Sequence, residues 1–236
     1  MTSSITLPPH GPEVNVWRID VSSWRPRVPR LRRLLAPDER ARADRFKFEK
    51  DAHRLVIARG ALRLLLGTFL HLPPERVDFS YSTTGKPSVD GLEFNVSHSG
   101  AVILIATHRN CIGVDVECVH TPIDVADMER LCFTERERAL LSNSVSPTRE
   151  FFRLWTRKEA WLKAVGSGLS FPLLDVDVAD ALAPRVAPSV ILDCDLPRRI
   201  IDLPVNDDCA GACAISGPDC DVRLWHLQET WGDVAC

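Results

Sequence analysis

The predicted secondary structure of this chain repeats one order of elements, in which helices come first and short strands follow at similar spacing. The first series has an alternating strand at 13–21, a helix that starts within APDERARADRF, and a long helix at 51–72 that Pro73 ends. Its strand candidates are VDFSYS, EFNVSHS and AVILIATH, with the turn GKP between the first two. Helices followed by separate strands are typical of the α+β class.

The second series repeats this order with little sequence identity to the first. The helices TERERALLSN and 148–166 precede the strand candidates LLDVDVA, PSVILDC and CAGACAIS, and VRLWHLQ follows them. We interpret the repeat as an internal duplication that is visible only in the pattern. We therefore predict two similar halves, 1–112 and 113–236, each with helices packed on a small antiparallel sheet.

Composition excludes several classes of protein. The 236 residues are 45% hydrophobic and 26% charged, which is ordinary for a globular protein with one large domain or two small ones. No apolar stretch is as long as a membrane span, and the N-terminus lacks the features of a secretory signal, so we expect a cytoplasmic protein with no membrane contact. The eight cysteines include no CxxC pair, which favours free thiols over a zinc site.

Positive charge is concentrated in the first part of the chain. Residues 18–63 hold 14 lysines and arginines and 6 acids, a balance of +8, although the whole chain has a net charge of −3. Such a run is most often a solvated face, and the sharper alternative is a surface for an anionic ligand or an acidic partner. No recognisable nucleic-acid motif accompanies the charge, so we do not expect nucleic acid as the partner.

The run IGVDVE (112–117) places two acids in an otherwise apolar strand. Residues two apart on a strand face the same side, so the valines would face the core and Asp115 and Glu117 would point together into a cleft. Two adjacent carboxylates repel each other unless a cation lies between them. Their oxygens suit Mg²⁺, which takes one or two carboxylates together with substrate phosphates. A strand end with two solvated acids is the alternative.

The helix LWTRKEAWLKAVGSGL supplies a third acid. Trp155, Glu159 and Lys163 recur at intervals of four, so they lie along one face of the helix. Glu159 adds a carboxylate to the pair on the strand, and Lys163 can meet a phosphate or the same acids. The alternatives are an ordinary surface pair of Glu159 and Lys163 and a core role for Trp155.

The segment FNVSHSG (94–100) offers hydroxyls and an imidazole at a strand end. Neighbours on a strand face opposite sides, so Ser97 and His98 are badly placed as the nucleophile and base of a hydrolase. The GxSxG turn that carries many hydrolase nucleophiles is also missing. Contact with a phosphate or a nucleotide fits these residue types better.

Five stretches of the chain, taken in their order, resemble the phosphopantetheinyl transferase superfamily, in the group named after the surfactin synthetase activator. They are FKFEKDAHR, GKP, FNVSHSG, IGVDVE and FFRLWTRKEAWLKAVGSGLS. The similarity is clearest over residues 34–172 and weaker onward to residue 216. It implies two similar α+β halves with the active site in the cleft between them, and a monomer rather than a trimer.

The resemblance also implies a reaction. Coenzyme A donates its 4′-phosphopantetheine arm to a serine of an apo acyl or peptidyl carrier protein, and 3′,5′-ADP leaves. Asp115, Glu117 and Glu159 match the acids that hold Mg²⁺, or Mn²⁺ in its place, which offsets the charge on the departing phosphate. Lys163 matches the lysine at the reacting phosphate. Glu159 and Glu117 are alternatives for helping to remove the serine proton.

Further residues match contacts to coenzyme A. The expected set is Arg45, Arg54, Lys86, Ser97, His98, Lys158 and Lys163. Within it, Arg54 and His98 match positions that bind the 3′-phosphate of the ribose. Glu39 departs from the pattern, since some relatives have a basic residue in this helix, although Arg40 and Arg42 stand beside it here. The resemblance therefore assigns no 3′-phosphate contact to this helix.

Two other functions compete with this interpretation. One is a catalytically silent protein that binds coenzyme A or a carrier, against which the presence of all three acids and of Lys163 argues. The other is a nucleic-acid-binding protein that uses the arginines between Arg25 and Arg33, against which the carboxylate cleft argues. Transfer of a labelled arm to a carrier protein separates the three.

Overall fold

The structure is a computed structural model, and it describes residues 13–120, 125–168, 171–182, 184–187, 197, 199–217 and 221–228. The helices of this part are α1 (Val21–Trp24), α2 (Val28–Leu34), α3 (Pro37–Asp44), α4 (Glu49–Leu70), α5 (Val125–Cys132), α6 (Glu135–Asn143) and α7 (Pro147–Val165). The strands are β1 (Val14–Asp20), β2 (Ser80–Tyr81), β3 (Pro87–Ser88), β4 (Glu93–Ser99), β5 (Val102–His108), β6 (Ile112–Cys118), β7 (Val176–Asp177), β8 (Arg185–Val186), β9 (Arg199–Asp202), β10 (Cys209–Ile215) and β11 (Val222–His226). This mixture confirms the predicted α+β class.

Local sequence signals set the ends of the helices. Pro37 occupies the first turn of α3, where its missing N–H costs nothing. The Thr134 hydroxyl accepts a hydrogen bond from the Glu137 N–H and caps α6. Gly166 ends α7 at a φ of 74°, a left-handed conformation that glycine adopts without strain. Within the residues described, none of these helices is long and apolar enough to cross a membrane.

The strands form two main sheets. The first has the order β11-β1-β5-β4, and the second has the order β6-β10-β9. Two-stranded ribbons of β2 with β3 and of β7 with β8 lie outside them. The second main sheet is antiparallel, as predicted.

The prediction of an antiparallel sheet is wrong for the first main sheet. β1 is antiparallel to β5 but parallel to β11, with Val14 opposite Val222. Just beyond the two strands, Trp24 Nε1 donates to the Leu227 carbonyl at 3.0 Å. The alternation of a strand shows which side chains face the core, but it carries no information about which neighbour the strand pairs with. The pattern therefore placed VRLWHLQ with the second series, whereas the strand joins the first sheet.

The two main sheets pack face to face, and each has a long helix on its outer side. In β1, Val14 and Val16 belong to the core between the sheets, while Trp17 and Ile19 pack in the cluster that contains α4. The second sheet alternates in the same way, and its alanine side chains on β10 pack in the cluster of α7. The order of layers is therefore helix, sheet, sheet, helix.

A glycine lets the backbones of β6 and α7 approach closely. A Cβ atom at Gly113 would lie 2.0 Å from the Ala160 carbonyl oxygen and 2.4 Å from the Ala164 nitrogen, where no side chain fits. Bulkier residues would force the helix away from the strand. Gly113 thus sets the distance between the acids that follow it on β6 and the polar face of α7.

Some strand candidates are shorter than predicted. VDFSYS contains only the two residues of β2, and LLDVDVA contains a 3₁₀ turn at Leu173–Asp175 before the two residues of β7. β2 pairs with β3, and β7 pairs with β8, over two residues in each case, so each of these ribbons is only two residue pairs long. The candidate PSVILDC lies outside the described residues.

Candidate active site

Strand β6 directs two carboxylates away from the core between the sheets. The intervening valines are fully buried in that core. Asp115 and Glu117 lie on the opposite face, and their partners across the strand pair, Ala212 and Ala210, pack in the cluster of α7. Asp115 is buried and Glu117 is half-buried. Both acids therefore lie beside α7, on the side that the alternation of IGVDVE predicts.

Helix α7 and strand β4 meet at one oxygen of Asp115. Lys163 Nζ lies 2.6 Å from Asp115 Oδ1. Ser97 Oγ donates to the same oxygen at 2.7 Å, and it accepts a hydrogen bond from Lys163 Nζ at 3.0 Å. Three elements that are distant in the sequence thus converge on one carboxylate. Lys163 thus makes the predicted contact with an acid of β6.

A second serine of β4 holds the second acid of β6. Ser99 Oγ donates to Glu117 Oε2 at 2.8 Å. Ser99 Oγ in turn accepts a hydrogen bond from the Cys118 N–H at 3.0 Å. Because Ser97 and Ser99 are two apart on their strand, and Asp115 and Glu117 are two apart on theirs, the two serine–carboxylate contacts repeat along the strands.

The three acids share one electrostatic environment. Burial raises the pKa of Asp115, and the charge of Lys163 opposes this shift. The pKa of Glu117 is also raised, chiefly by burial. In Glu159, burial and then the negative charge of Asp115 raise the pKa to about 7. Ionising all three acids together is therefore unfavourable unless a cation is added.

Two buried carboxylate oxygens at this site have no protein partner. They are Asp115 Oδ2 and Glu159 Oε1. A buried polar atom without a partner is costly, and oxygen ligands are the ones that Mg²⁺ and Mn²⁺ prefer. Among the residues that the structure describes, no three His, Cys, Asp or Glu side chains form a complete metal site by themselves. The residues present fit an ion that takes one or two carboxylates and completes its coordination with water and phosphate.

The other face of β4 directs His98 toward α4. A cavity of about 200 Å³ lies there, and its lining includes His98, Arg42 and Arg59. Burial lowers the pKa of His98, and the positive charge of Arg54 lowers it further. Arg54 does not line this cavity, and it is hydrogen-bonded to Asp51 at 2.8 Å. A group of guanidinium side chains around an imidazole suits an anion such as a phosphate.

The GKP turn joins the first half of the chain to the end of α7. Lys86 Nζ donates to the Ala164 carbonyl at 3.0 Å, and Thr84 Oγ1 donates to the Gly166 carbonyl at 2.7 Å. Carbonyls in the last turn of a helix have no partner within the helix, and a cation is favourable there. The turn therefore stabilises the end of the helix that carries the two predicted catalytic side chains.

Two cavities adjoin along this turn. A second cavity, of about 210 Å³, is lined by both Lys86 and Lys163. It shares Pro87 and Asn95 with the cavity at His98. A concave region with cationic side chains therefore extends from Lys163, the partner of Asp115, to the imidazole of β4.

A larger cavity, of about 420 Å³, lies beside the start of α7 and the β9–β10 connection. None of the predicted site residues lines this cavity, whereas Lys86, His98 and Lys163 line the two smaller ones. The two smaller cavities are therefore the better candidates for binding phosphate.

Two of the predicted phosphate contacts lie elsewhere. Arg45 is exposed at the end of α3 and lines neither of the smaller cavities. Lys158 is buried under α7, where its Nζ lies 2.9 Å from Glu137 Oε2 and donates to the Leu173 carbonyl at 2.7 Å. Lys158 and Lys163 are five positions apart, which is about 140° around a helix. This geometry argues against a phosphate contact by Lys158.

Glu39 has a structural partner that accounts for an acid at this position. Its Oε2 accepts hydrogen bonds from Arg63 Nε at 2.7 Å and from the Ala36 N–H at 2.9 Å. Arg42, one turn further along α3, lines the cavity at His98 instead. A basic side chain of this helix therefore lies at the cavity, three positions after Glu39.

Sequence reasoning also missed two polar residues. Arg59 lines the cavity at His98, and Ser99 holds Glu117. For Ser99 a signal was present, since a residue two after Ser97 must share its face. For Arg59 no signal was present, because an arginine in a long helix is most often solvated.

Comparison with known proteins shows the family of this chain. A model of the 4′-phosphopantetheinyl transferase superfamily matches residues 111–204, and a model of the N-terminal part of 4′-phosphopantetheinyl transferase matches residues 22–110. The 4′-phosphopantetheinyl transferase HetI of Nostoc sp. is 34% identical over 223 residues, which cover 91% of this chain and 92% of the relative. The transferase psf-1 of Bacillus pumilus is 32% identical over 66% of this chain and 68% of its own length. The transferase Sfp of Bacillus subtilis is 32% identical over 61% and 66%.

The α+β fold and the acid–lysine site thus occur in a chain whose relatives are phosphopantetheine-transferring enzymes. The chain belongs to the 4′-phosphopantetheinyl transferase superfamily. The predicted family and enzyme class are confirmed.

Proposed function

We propose that this protein transfers the 4′-phosphopantetheine arm of coenzyme A to a serine of an apo carrier protein and releases 3′,5′-ADP. One observation carries the proposal: the Lys163–Asp115 pair lies next to a buried carboxylate oxygen without a protein partner and borders a cavity lined by Lys86. Such a site offers lysine side chains to an anionic pyrophosphate and a carboxylate oxygen to a metal ion. Membership of the superfamily supports the same activity.

Asp115, Glu117 and Glu159 would hold Mg²⁺, or Mn²⁺ in its place. When bound, the ion supplies positive charge that offsets the charge on the pyrophosphate. The raised pKa values of the three acids support this assignment, because a cation among them would relieve their repulsion.

Lys163 is the side chain that would bind the reacting phosphate. Its ammonium group has three donors and contacts Asp115 and Ser97, so a donor remains for a phosphate oxygen. Held in this way, the ammonium would fix the phosphate beside the acids and stabilise the negative charge that develops on it.

Glu159 would accept the proton of the carrier serine. Burial and the charge of Asp115 raise the pKa of Glu159 to about 7 without a metal ion, which makes this carboxylate a stronger base than an ordinary glutamate. Glu117 is the alternative base, since it is half-buried and lies on the same side of β6 as Asp115.

Coenzyme A would extend from the acids toward α4. Arg54 and His98 would bind the 3′-phosphate of the ribose, and Lys86 and Ser97 would make further contacts. The cavities lined by His98 and Lys86 support this direction because they adjoin. The exposed Arg45 would contribute only at the entrance.

The halves 1–112 and 113–236 would be related by an approximate twofold axis, with the active site in the cleft between them. The face-to-face sheets, each with one long helix outside, support this relation. The partner would be an acyl or peptidyl carrier protein, and the enzyme would act as a monomer in the cytoplasm. The Sγ atoms of Cys118 and Cys209 form a hydrogen bond at 3.2 Å rather than a disulfide bond, which fits a reducing compartment.

The test is transfer of a fluorescent arm from labelled coenzyme A to an apo carrier protein. We expect the carrier to become labelled in the presence of Mg²⁺, and labelling to stop when the metal is chelated. The matched control is a carrier whose acceptor serine is replaced by alanine. Coenzyme A binding without labelling of any tested carrier would instead favour a catalytically silent protein.

A further inference from the structure

We propose that the polar face of β4 positions the acids of β6, with Ser99 holding Glu117 as Ser97 holds Asp115. The inference rests on the proposed function, because the acids are positioned for the ion that they would hold. Asn95, Ser97 and Ser99 are two residues apart on β4, so they share one face. Each of them is hydrogen-bonded to a group on β6.

The side chains of β4 take the place of a strand partner along one edge of β6. The two strands belong to different sheets, and β6 pairs with β10 alone among the strands described. The amides of Val114 and Cys118 donate instead to Asn95 Oδ1 and to Ser99 Oγ, each at 3.0 Å. The edge of β6 is therefore fixed to β4 at both ends of the acidic segment.

The hydroxyl of Ser99 has a defined orientation. It accepts from the Cys118 N–H, and its single proton goes to Glu117 Oε2 at 2.8 Å. A free glutamate side chain has several rotamers, so an ion that binds it must first select one of them. With one carboxylate oxygen held by Ser99, this selection is made before the ion arrives, and the other oxygen is left for the ligand.

Ser99 gives a cleaner test than Ser97. Ser97 also contacts Lys163 and is a predicted contact of coenzyme A, so its replacement would change several interactions together. Ser99 makes its two contacts only with Glu117 and the neighbouring amide among the hydrogen bonds described. A change on replacing Ser99 therefore reports on Glu117.

The experiment measures Mn²⁺ binding to the whole protein by electron paramagnetic resonance, with coenzyme A present and no carrier. We expect Ser99→Ala to weaken Mn²⁺ binding by about 2- to 12-fold, the size of one hydrogen bond. Ser99→Thr keeps the hydroxyl and should stay within about twofold of the wild type. The concentration of Mg²⁺ that gives half-maximal transfer should shift in parallel.

The matched control is Ser216→Ala. This buried serine also donates one hydrogen bond, to the Cys111 carbonyl at 3.1 Å, and it lies at the end of β10 away from the acids. It should lower the melting temperature without changing the affinity for Mn²⁺. If Ser99→Ala does not fold, Ser99→Cys serves in its place, because a thiol keeps the shape and is only a weak donor.

Two results would overturn the inference. One is wild-type affinity for Mn²⁺ in the folded Ser99→Ala or Ser99→Cys protein. The other is an equal loss in Ser99→Thr and Ser99→Ala, or in Ser216→Ala. If the proposed function is wrong, the result is different. The wild type then transfers no arm to the carrier, although the Mn²⁺ affinities of the wild type and the variants follow the expected order.

Discussion

Lys163 and Asp115 form an ion pair between two elements that are far apart in the sequence, with Nζ 2.6 Å from Oδ1. The lysine is about one-third exposed (30%), whereas the aspartate side chain is almost fully buried (3%). The pair therefore links a buried charge to the edge of a cavity. Removing either partner leaves the other without its counter-charge.

We expect Asp115→Ala to abolish transfer without unfolding the protein. Loss of this carboxylate removes a metal ligand and the partner of Lys163, and metal charge stabilisation is worth several kcal/mol. A loss of about 3 kcal/mol corresponds to roughly 100-fold or more in kcat/KM. The measurement is arm transfer at saturating coenzyme A, with circular dichroism to establish folding. The control is Asp78→Ala, which removes an exposed acid; near wild-type turnover in Asp115→Ala would contradict the assignment.

We expect the ionisation of Glu159 to lower the free energy of unfolding as the pH rises. Its pKa is about 7 in the folded protein and 4.5 ordinarily, so between these values the folded protein binds the proton more tightly than the unfolded chain. The stability contributed by the protonated acid is complete below pH 4.5 and is lost as the pH rises through 7. We therefore expect Glu159→Gln, relative to the wild type, to be more stable at pH 8 than at pH 5.

The measurement for Glu159 is the free energy of unfolding in urea at both pH values, with a chelator present. Glu75→Gln, a change of an exposed acid, serves as the control and should show no such difference. At pH 8, adding Mg²⁺ should reduce the amount by which Glu159→Gln is more stable than the wild type, because the ion favours the charged acid. If the difference in the free energy of unfolding between Glu159→Gln and the wild type is the same at pH 5 and pH 8, this argues against the raised pKa.

Arg54→Ala should raise the KM for coenzyme A more than it lowers kcat. The 3′-phosphate lies far from the bond that breaks, so this contact contributes mainly to binding and positioning. The preference for coenzyme A over dephospho-coenzyme A should fall by roughly 10- to 150-fold, the value of one charged hydrogen bond. The measurement is kcat/KM for both donors in wild type and variant, with Arg76→Ala as the exposed control. If the ratio of kcat/KM for coenzyme A to kcat/KM for dephospho-coenzyme A does not change, Arg54 is only a structural partner of Asp51.

Lys158→Met should affect stability rather than catalysis. Lys158 and Glu137 form a pair in which both side chains are 0% exposed, so removing the lysine leaves a buried carboxylate. Breaking such a pair costs about 3–5 kcal/mol. Urea unfolding measures this loss, and Lys47→Met is the exposed control. If the variant has wild-type stability but transfers poorly, Lys158 is a phosphate ligand after all.

The sequence was sufficient where a local period decides the structure. The alternation of IGVDVE placed Asp115 and Glu117 on one face, and the four-residue interval placed Glu159 and Lys163 on one face of α7. The same reasoning would have excluded Lys158, because its position on the helix differs from that of Lys163. That residue was assigned from the family motif instead, and the motif does not distinguish the two sides of the helix.

The sequence was insufficient where residues far apart determine the contact. Neither the parallel pairing of β11 with β1 nor the hydrogen bond from Ser99 to Glu117 follows from a local pattern. The basic stretch shows the same limit, since Arg32 makes a bidentate contact with Asp44 at 2.8 Å rather than standing free. Partners of this kind are fixed by the packing of the whole chain.

The pairing of β11 with β1 has a consequence for synthesis on the ribosome. The hydrogen bond from Trp24 to Leu227 spans 203 positions of the sequence. Translation proceeds at about 5–20 residues per second, so roughly 10 to 40 seconds pass between the synthesis of β1 and that of β11. During that interval one edge of β1 is open to other chains. Expression at a lower temperature or with a chaperone that covers strand edges should therefore raise the yield of folded protein.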